Sequence, residues 1–154
     1  MNHWLLKSEP ESFSIDALKL APKHTTAWDG VRNFQARNML RDTMKIGEQA
    51  FFYHSSCAVP GIVGIVSIVK QGYPDKTAFD PDDHHYDADS KADAPRWFVV
   101  DIKLVRKFER IITLDELRPH AAKALRDLVL LRRGNRLSVM PVAKKDWDFI
   151  LSLE

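Results

Sequence analysis

One segment near the middle of the chain restricts the folds that it can adopt. Residues 62–69 (Ile-Val-Gly-Ile-Val-Ser-Ile-Val) are rich in β-branched side chains, and apolar residues stand at both odd and even positions. Neighbouring residues of a β-strand point to opposite faces, so both faces of this strand require apolar cover. We therefore expect a central strand of a sheet, or one strand of a small closed barrel.

The other predicted strands and the helices do not alternate regularly. Further runs with strand composition lie at residues 3–7, 49–54, 96–105 and 137–142. Helices are expected between some of these runs, but the central strands follow one another without a helix. This order favours an α+β fold over a parallel sheet built from βαβ units.

Capping residues mark the beginnings of several predicted helices. Ser12 or Ser14 can cap a short helix that ends at Leu20, and Asn33 can cap a second one. Residues 113–116 (Thr-Leu-Asp-Glu) form a capping box, which predicts a third short helix.

Two more helices are predicted in the last third of the chain. The first ends at Gly134 and carries an apolar stripe of Leu125, Leu128 and Val129. The second closes the chain and buries Trp147.

Length and composition indicate one globular domain. The chain has 154 residues, of which 45% are hydrophobic and 29% charged, so we expect residues 1–154 to form a single domain with one core.

Cys57 is the only cysteine, which excludes an intrachain disulfide and a thiolate zinc cluster and favours a reducing compartment. No segment resembles a signal peptide or a membrane span, so we expect a cytoplasmic protein without membrane contact. No Gly-rich phosphate loop follows a strand, and no cofactor is expected.

The charge is unevenly distributed along the chain. Seven aspartates and two lysines give residues 71–95 a charge of −5, so the rest of the chain carries +7. A basic body favours polyanions such as nucleic acids. Residues 71–95 are expected to form a long polar connection, and loops of that length are commonly functional or mobile.

The segment 28–38 (Trp-Asp-Gly-Val-Arg-Asn-Phe-Gln-Ala-Arg-Asn) places an aromatic ring among polar side chains. Trp28 can stack on a nucleobase while Asn33 reads the edge of the base. Arg32 and Arg37 are candidates for contacts with phosphates. A buried tryptophan beside a capped helix explains the same residues, so the segment by itself leaves both interpretations open.

The four tryptophans fall into two groups. Trp4 and Trp147 stand among aliphatic residues and are expected in the core. Trp28 and Trp97 stand at loop edges beside polar residues, where an indole can face a cleft or join the core.

Polar residues end the first predicted strand. Lys7, Ser8 and Glu9 place an ammonium, a hydroxyl and a carboxylate in a row. They can bind the polar edge of a ring, or they can form a surface turn that caps the next helix.

The predicted strand at 51–55 alternates two sets of side chains. Phe52 and His54 share one face, and Tyr53 and Ser55 share the other, so we expect one face in the core and the other as a site wall. No nucleophile elbow is present, and adjacent strand residues point apart, which argues against a Ser–His hydrolase here.

Arginines surround Gly134 near the end of the chain. Arg132, Arg133 and Arg136 can contact phosphates, or they can complete the helix that precedes them.

Residues 82–87 (Asp-Asp-His-His-Tyr-Asp) are of metal-ligating types. Their spacing matches none of the standard ligand patterns, and they lie in a long loop. We expect a solvated loop without a metal, although His85 and Tyr86 can fold back over a cleft as a lid.

Taken in order, these segments resemble the EVE domain family. The resemblance is carried by residues 4–10, 28–38, 51–55, 60–64, 85–87, 95–97 and 136–139. It implies an α+β, PUA-like fold, a small mixed β-barrel with surrounding helices that is related to the YTH and ASCH domains. It also implies a reader rather than a catalyst, which holds a modified base of DNA or RNA in a pocket with aromatic walls.

The resemblance adds Ser138, near the last predicted strand, to the candidate residues. The base-binding candidates are then Lys7, Ser8, Glu9, Trp28, Asn33, Tyr53, His54, Ser55, Trp97 and Ser138. The phosphate-contacting candidates are Arg32, Arg37, Arg132, Arg133 and Arg136. We expect a monomer, with no catalytic residue among these positions.

The primary hypothesis is a non-enzymatic nucleic-acid-binding module that reads a modified base, for example a modified cytosine. An alternative from the enzyme class is a metal-dependent hydrolase or nuclease that uses His54 with His84, His85 and the aspartates beside them. A third possibility is a protein-interaction module that binds its partner through residues 71–95. The choice between DNA and RNA stays open at this point.

Overall fold

Six strands form one mixed sheet in this computed structural model, which describes all 154 residues. The strands are β1 (His3–Ser8), β2 (Thr25–Ala27), β3 (Gln49–His54), β4 (Gly61–Pro74), β5 (Phe98–Thr113) and β6 (Val139–Val142). Their order in the sheet is β2-β5-β4-β3-β1-β6. The β1–β3 pair is parallel and every other neighbouring pair is antiparallel.

The position of β4 confirms the prediction made from its two apolar faces. It lies inside the sheet between β3 and β5, and residues 61–66 are all buried. The α+β fold class is confirmed as well. The expected barrel is not closed, because β2 and β6 are the two edges of the sheet and do not pair with each other.

Four α-helices surround the sheet, together with shorter turns. The helices are α1 (Ile15–Leu20), α2 (Phe34–Asn38), α3 (Leu114–Leu117) and α4 (Lys144–Ser152). A π-helical turn at Met39–Thr43 continues α2. None of these helices combines the length and the apolar character that a membrane crossing requires.

The predicted caps are confirmed. The Ser14 side chain accepts a hydrogen bond from the Ala17 N–H at the start of α1, and Asn33 accepts one from the Ala36 N–H at the start of α2. Both bonds of the capping box that opens α3 are present. Each cap satisfies an N–H group that a helix start otherwise leaves unpaired.

The predicted helix before Gly134 is wrong. Successive turns occupy this stretch, and the N–H of Leu125 bonds to the carbonyl of His120 instead of an α-helical partner. The apolar stripe is nevertheless used, since Leu125 and Leu128 are fully buried. Packing against the sheet therefore governs the backbone here more than helical periodicity does.

Hydrophobic residues cover both faces of the sheet. Leu6 and Phe52 point into one cluster, whereas Leu5 and Phe51 point into another. The expectation that one face at residues 51–55 forms an open site wall is therefore wrong, because Phe51, Phe52 and Tyr53 are all buried. Since β3 is an interior strand, both of its faces require apolar cover.

The tryptophans assigned to the core lie there. Trp4 and Trp147 are 3% and 4% exposed, and they belong to different clusters. Trp147 stacks on Phe51 at a centroid distance of 3.9 Å, and the Trp4 indole N–H donates to Glu48.

Candidate functional site

A cavity of about 550 Å³ lies at the carboxyl end of β1. Its walls are formed by residues 7–9, 12–13, 26–32, 83–85 and 138. The cavity thus joins the end of β1, the segment that follows β2 and part of the long loop after β4. Its volume is in the range of small-molecule sites, about 300–1,000 Å³. Only four of its sixteen lining residues are hydrophobic, which suits a polar ligand.

Trp28 borders this cavity. Its ring is held from behind by Phe52, edge to face at a centroid distance of 5.5 Å, and its backbone N–H donates to the carbonyl of Val100. Only 7% of the residue is exposed, so the cavity meets a limited part of the indole. The indole N–H has no hydrogen-bond partner within the protein and is not sealed from solvent. Trp28 can therefore offer a ligand both ring surface and one donor.

Arg32 ties two walls of the cavity together. Its Nε and Nη2 both donate to the carbonyl of His85, and Nη2 also donates to Thr77 Oγ1. Its Nη1 donates to the carbonyl of Val31 and to Asp75 Oδ2, at 3.0 Å in each case. A guanidinium has five N–H donors, and all five are used. The structure therefore does not support the expectation that Arg32 contacts a phosphate, because its guanidinium group has no free N–H donor for one.

Asp75 is the buried anchor of this arrangement. Its side chain is 1% exposed and accepts hydrogen bonds from the Gly30 N–H, from Arg32, and from both the N–H and the hydroxyl of Thr77. Burial by itself would raise the pKa of Asp75, but the hydrogen bonds from Thr77, Gly30 and Arg32 outweigh it and hold the pKa below its ordinary value. The carboxylate stays charged and fixes the backbone beside Trp28.

Polar and charged groups of the cavity wall remain available to a ligand. Lys7 forms no ion pair, and burial lowers the pKa of its ammonium group. Asp29 has its pKa raised, first by burial and then by the nearby Asp75 carboxylate. The chain segments of Ser8 and Ser138 are adjacent, because the Lys7 N–H donates to the Ser138 carbonyl, although the Ser8 hydroxyl already donates to Phe13.

Five of the ten base-binding candidates line the cavity: Lys7, Ser8, Glu9, Trp28 and Ser138. The other five do not: Asn33, Tyr53, His54, Ser55 and Trp97. Four of these five, Asn33, His54, Tyr53 and Trp97, have other contacts in the structure.

Two candidates outside the cavity complete helix starts. Asn33 caps α2 with its side-chain oxygen, and His54 Nε2 accepts the Ile15 N–H at the start of α1 at 3.1 Å. Burial is the main cause that lowers the pKa of His54, which suits a neutral acceptor. His54 is thus not brought to the cavity that His84 and His85 line, so the two halves of the alternative hydrolase site do not meet there.

Two aromatic candidates belong to the interior. Tyr53 is 2% exposed in the cluster that also contains Trp147, and burial raises its pKa to about 12. Trp97 is 6% exposed, stacks on Phe34 and donates its indole N–H to Asp87 at 2.6 Å. The cleft position that its loop surroundings favoured is therefore not found for Trp97.

The remaining arginine candidates lie on the surface. Arg132, Arg133 and Arg136 are exposed, and none of them forms an ion pair. Arg132 and Arg133 border a second, smaller cavity of about 320 Å³, which also includes Asn135 and Leu137, next to Ser138 of the first cavity. Arg37 bonds to Asn38 and to the carbonyl of Arg96 and keeps only part of its donors free.

Sequence reasoning missed several residues of the site. Asp29 follows Trp28 directly, and a carboxylate next to a tryptophan at a loop edge is a sequence signal that could have predicted its place in the cavity wall. Phe13 and Ser12 line the cavity but have no sequence signature, since they approach it only through the turn after β1. Asp75 could not have been singled out among seven aspartates of its segment, because only its burial distinguishes it.

Relatives of known structure match the chain from end to end. The model of the EVE domain matches residues 2–153. Thymocyte nuclear protein 1 of Homo sapiens is 52% identical over 168 residues, which cover 99% of this chain and 74% of the human protein. The crystal structure of human THYN1 protein in complex with DNA containing 5-methylcytosine has a TM-score of 0.93 and 49% identity, with 99% of this chain and 97% of that chain covered. A crystal structure of a Pseudomonas putida protein has a TM-score of 0.91 and 47% identity, with 98% of each chain covered.

Proposed function

We propose, from the premise that this chain belongs to the EVE domain family, that it is a non-enzymatic DNA-binding module which reads a modified cytosine. The cavity beside Trp28 carries the proposal, because it is of a suitable size, polar and bordered by an indole. The human relative that was crystallised with DNA containing 5-methylcytosine supports the choice of DNA and of this base.

A base can enter the cavity only after it leaves the DNA stack. Base flipping costs a few kcal/mol, whereas contact with an aromatic ring recovers roughly 1–3 kcal/mol per base. Trp28 and Phe13 are the aromatic residues of the cavity wall. Because the Trp28 ring is only slightly exposed, hydrogen bonds must contribute the rest of the discrimination.

The polar groups of the wall match the edge of cytosine. Carboxylates accept hydrogen bonds from the cytosine amino group, and we propose this role for Asp29 and Glu9, which both line the cavity. The indole N–H of Trp28 and the ammonium of Lys7 are donors for the carbonyl and ring-nitrogen acceptors of the same base. Ser8 and Ser138 complete the proposed base-binding set. Asn33, Tyr53, His54, Ser55 and Trp97 are proposed to act only through the shape of the surrounding structure.

The backbone of the DNA is proposed to pass over the second cavity. Arg132 and Arg133 offer unpaired guanidinium groups there, and the exposed Arg136 lies three positions after Arg133 in the chain. We further propose that the protein acts as a monomer in a reducing, cytoplasmic compartment, which its single cysteine supports.

A steric block of the cavity tests the proposal. Ser12 is exposed and lines the cavity, so Ser12→Trp places an indole in the entrance without removing any core residue. Ser152→Trp makes the same change at an exposed position of α4, outside the cavity. Fluorescence anisotropy would measure the affinity of each variant for DNA duplexes with 5-methylcytosine or cytosine, and for the matching RNA.

We expect the unaltered protein and Ser152→Trp to prefer the methylated DNA, and Ser12→Trp to lose that preference. A preference that persists in Ser12→Trp would exclude this cavity as the reading site. Equal affinity of the unaltered protein for all oligonucleotides would refute the reader function.

A further inference from the structure

We propose that Asp83, His84 and His85 form a binding site for a divalent transition-metal ion such as Zn²⁺ at the rim of the cavity. The three residues supply one carboxylate and two imidazoles. Their ligand atoms all lie within 4.8 Å of one another. Imidazole nitrogen together with carboxylate oxygen suits Zn²⁺ and neighbouring first-row ions better than Ca²⁺ or Mg²⁺, which prefer oxygen ligands.

Two of the three distances between donor atoms are close to those of a tetrahedral site. Zn²⁺ bonds to nitrogen and oxygen are about 2.0–2.2 Å long, so tetrahedral geometry places neighbouring ligand atoms roughly 3.4 Å apart. Asp83 Oδ1 lies 3.3 Å from His85 Nδ1 and 3.7 Å from His84 Nδ1. The two histidine ligand atoms lie within 4.8 Å of each other, and the His84 side chain is 85% exposed, so it has room to move toward a shared ion.

Hydrogen bonds and packing hold the other two ligands in place. Asp83 Oδ1 accepts the backbone N–H of His85 at 2.8 Å, which fixes the carboxylate relative to the following residues. The His85 carbonyl is held by Nε and Nη2 of Arg32. The edge of the His85 ring that carries Nε2 faces Gly30, so Nδ1 is the nitrogen left for Asp83 or an ion. Ligands held in this way lose little freedom when an ion binds.

Three protein ligands leave at least one coordination position of the ion open. All three residues line the cavity, so that position is adjacent to a proposed ligand site. A bound ion would also replace the negative charge of Asp83 by a net positive charge at the rim. The ion site goes beyond the proposed reading of cytosine, and it can be tested without DNA.

Cobalt provides a direct test, because Co²⁺ bound to nitrogen and oxygen ligands absorbs visible light and is displaced by Zn²⁺. The untagged full chain is titrated with Co²⁺ at neutral pH, and the absorbance is then followed as Zn²⁺ is added. We expect saturable binding of one ion per chain and displacement by Zn²⁺. His84→Ala and Asp83→Asn should each weaken binding about tenfold or more, the scale of losses seen when a metal site is impaired.

A histidine outside the cluster provides the control. His24 is exposed and does not line the cavity, so His24→Ala should bind Co²⁺ as the unaltered chain does. The proposal is overturned if no saturable absorbance appears, or if both His84→Ala and Asp83→Asn bind as tightly as the unaltered chain. The cluster of Asp83, His84 and His85 would then have no role in binding an ion. Since no DNA is present, neither result bears on the proposed reader function.

Discussion

The imidazole of His85 occupies the space in which a side chain at Gly30 would begin. A Cβ atom at residue 30 would lie 2.5 Å from His85 Nε2 and 2.6 Å from Cε1. Gly30 also has a φ of +77°, a conformation that other residues adopt at a cost. This contact brings the long loop after β4 against the segment that carries Trp28, and it closes one wall of the cavity.

Replacing Gly30 should damage both stability and the cavity. Gly30→Ala has to adopt the left-handed conformation, which costs about 1–2 kcal/mol, and it also displaces His85. Gly134→Ala is the matched control, because Gly134 has a φ of +75° but no atom within 4 Å of its added Cβ. Urea unfolding should show a larger loss for Gly30→Ala than for Gly134→Ala. Equal losses of unfolding free energy in the two variants would mean that the contact between Gly30 and His85 does not contribute to stability.

The stability of the protein should fall on acidification partly through Asp75. The folded state holds the pKa of Asp75 below the ordinary value of 3.8, so its contribution is fully present above that value and is lost as the pH falls through the folded pKa. Asp75→Asn removes the titrating group. It should be less stable at neutral pH and should show a shallower loss of unfolding free energy below about pH 4. Urea unfolding at a series of pH values measures both effects, and an unchanged acid dependence in Asp75→Asn would contradict the assignment.

Trp28 should determine the preference for the modified base. Trp28→Ala removes the ring from the cavity wall and should abolish the difference in affinity between methylated and unmodified DNA. The change also costs about 3–5 kcal/mol of core stability. Trp147→Ala is therefore the control, since Trp147 is equally buried but lies in the cluster on the other face of the sheet. Binding is compared at a temperature at which both variants are folded by circular dichroism. A retained preference in Trp28→Ala would exclude Trp28 from base reading.

Arg133 should contribute affinity without selectivity. Phosphate contacts carry no sequence information, so Arg133→Ala should weaken binding to methylated and unmodified DNA equally. It should also reduce the slope of log affinity against log salt concentration by about one, since one fewer counterion is released. Lys103→Ala is the control, because it removes one positive charge from an exposed position of β5 that borders neither cavity. Affinities of both variants, measured over a range of salt concentrations, distinguish a lost phosphate contact from the general loss of one charge. A change of selectivity in Arg133→Ala, or equal effects of both variants, would contradict the proposed path of the backbone.

Local patterns predicted those parts of the fold that depend on near neighbours in the chain. The central position of β4 follows from its two apolar faces, and the starts of α1, α2 and α3 follow from caps that bond to residues three positions away. The stretch before Gly134 shows where this reasoning fails. Its leucines have helical spacing, but contacts with the sheet bury them in a series of turns.

The candidate site was predicted in part. Lys7, Trp28 and Ser138 line the cavity, whereas Trp97 does not, although Trp28 and Trp97 have similar surroundings in the sequence. What separates the two tryptophans is a partner distant in the chain. The indole N–H of Trp97 donates to Asp87 in the long loop after β4, whereas the indole N–H of Trp28 has no partner within the protein.

By itself, the amino-acid sequence determined the α+β class, the central strand and the helix starts, because alternation and capping act between residues that are close in the chain. Only the tertiary structure decided which side chains share a cavity. That choice depends on the buried Asp75, on Arg32 with all its donors engaged, and on the packing of His85 against Gly30. These contacts join segments far apart in the sequence, and their geometry is set by the packing of the whole sheet and its loops.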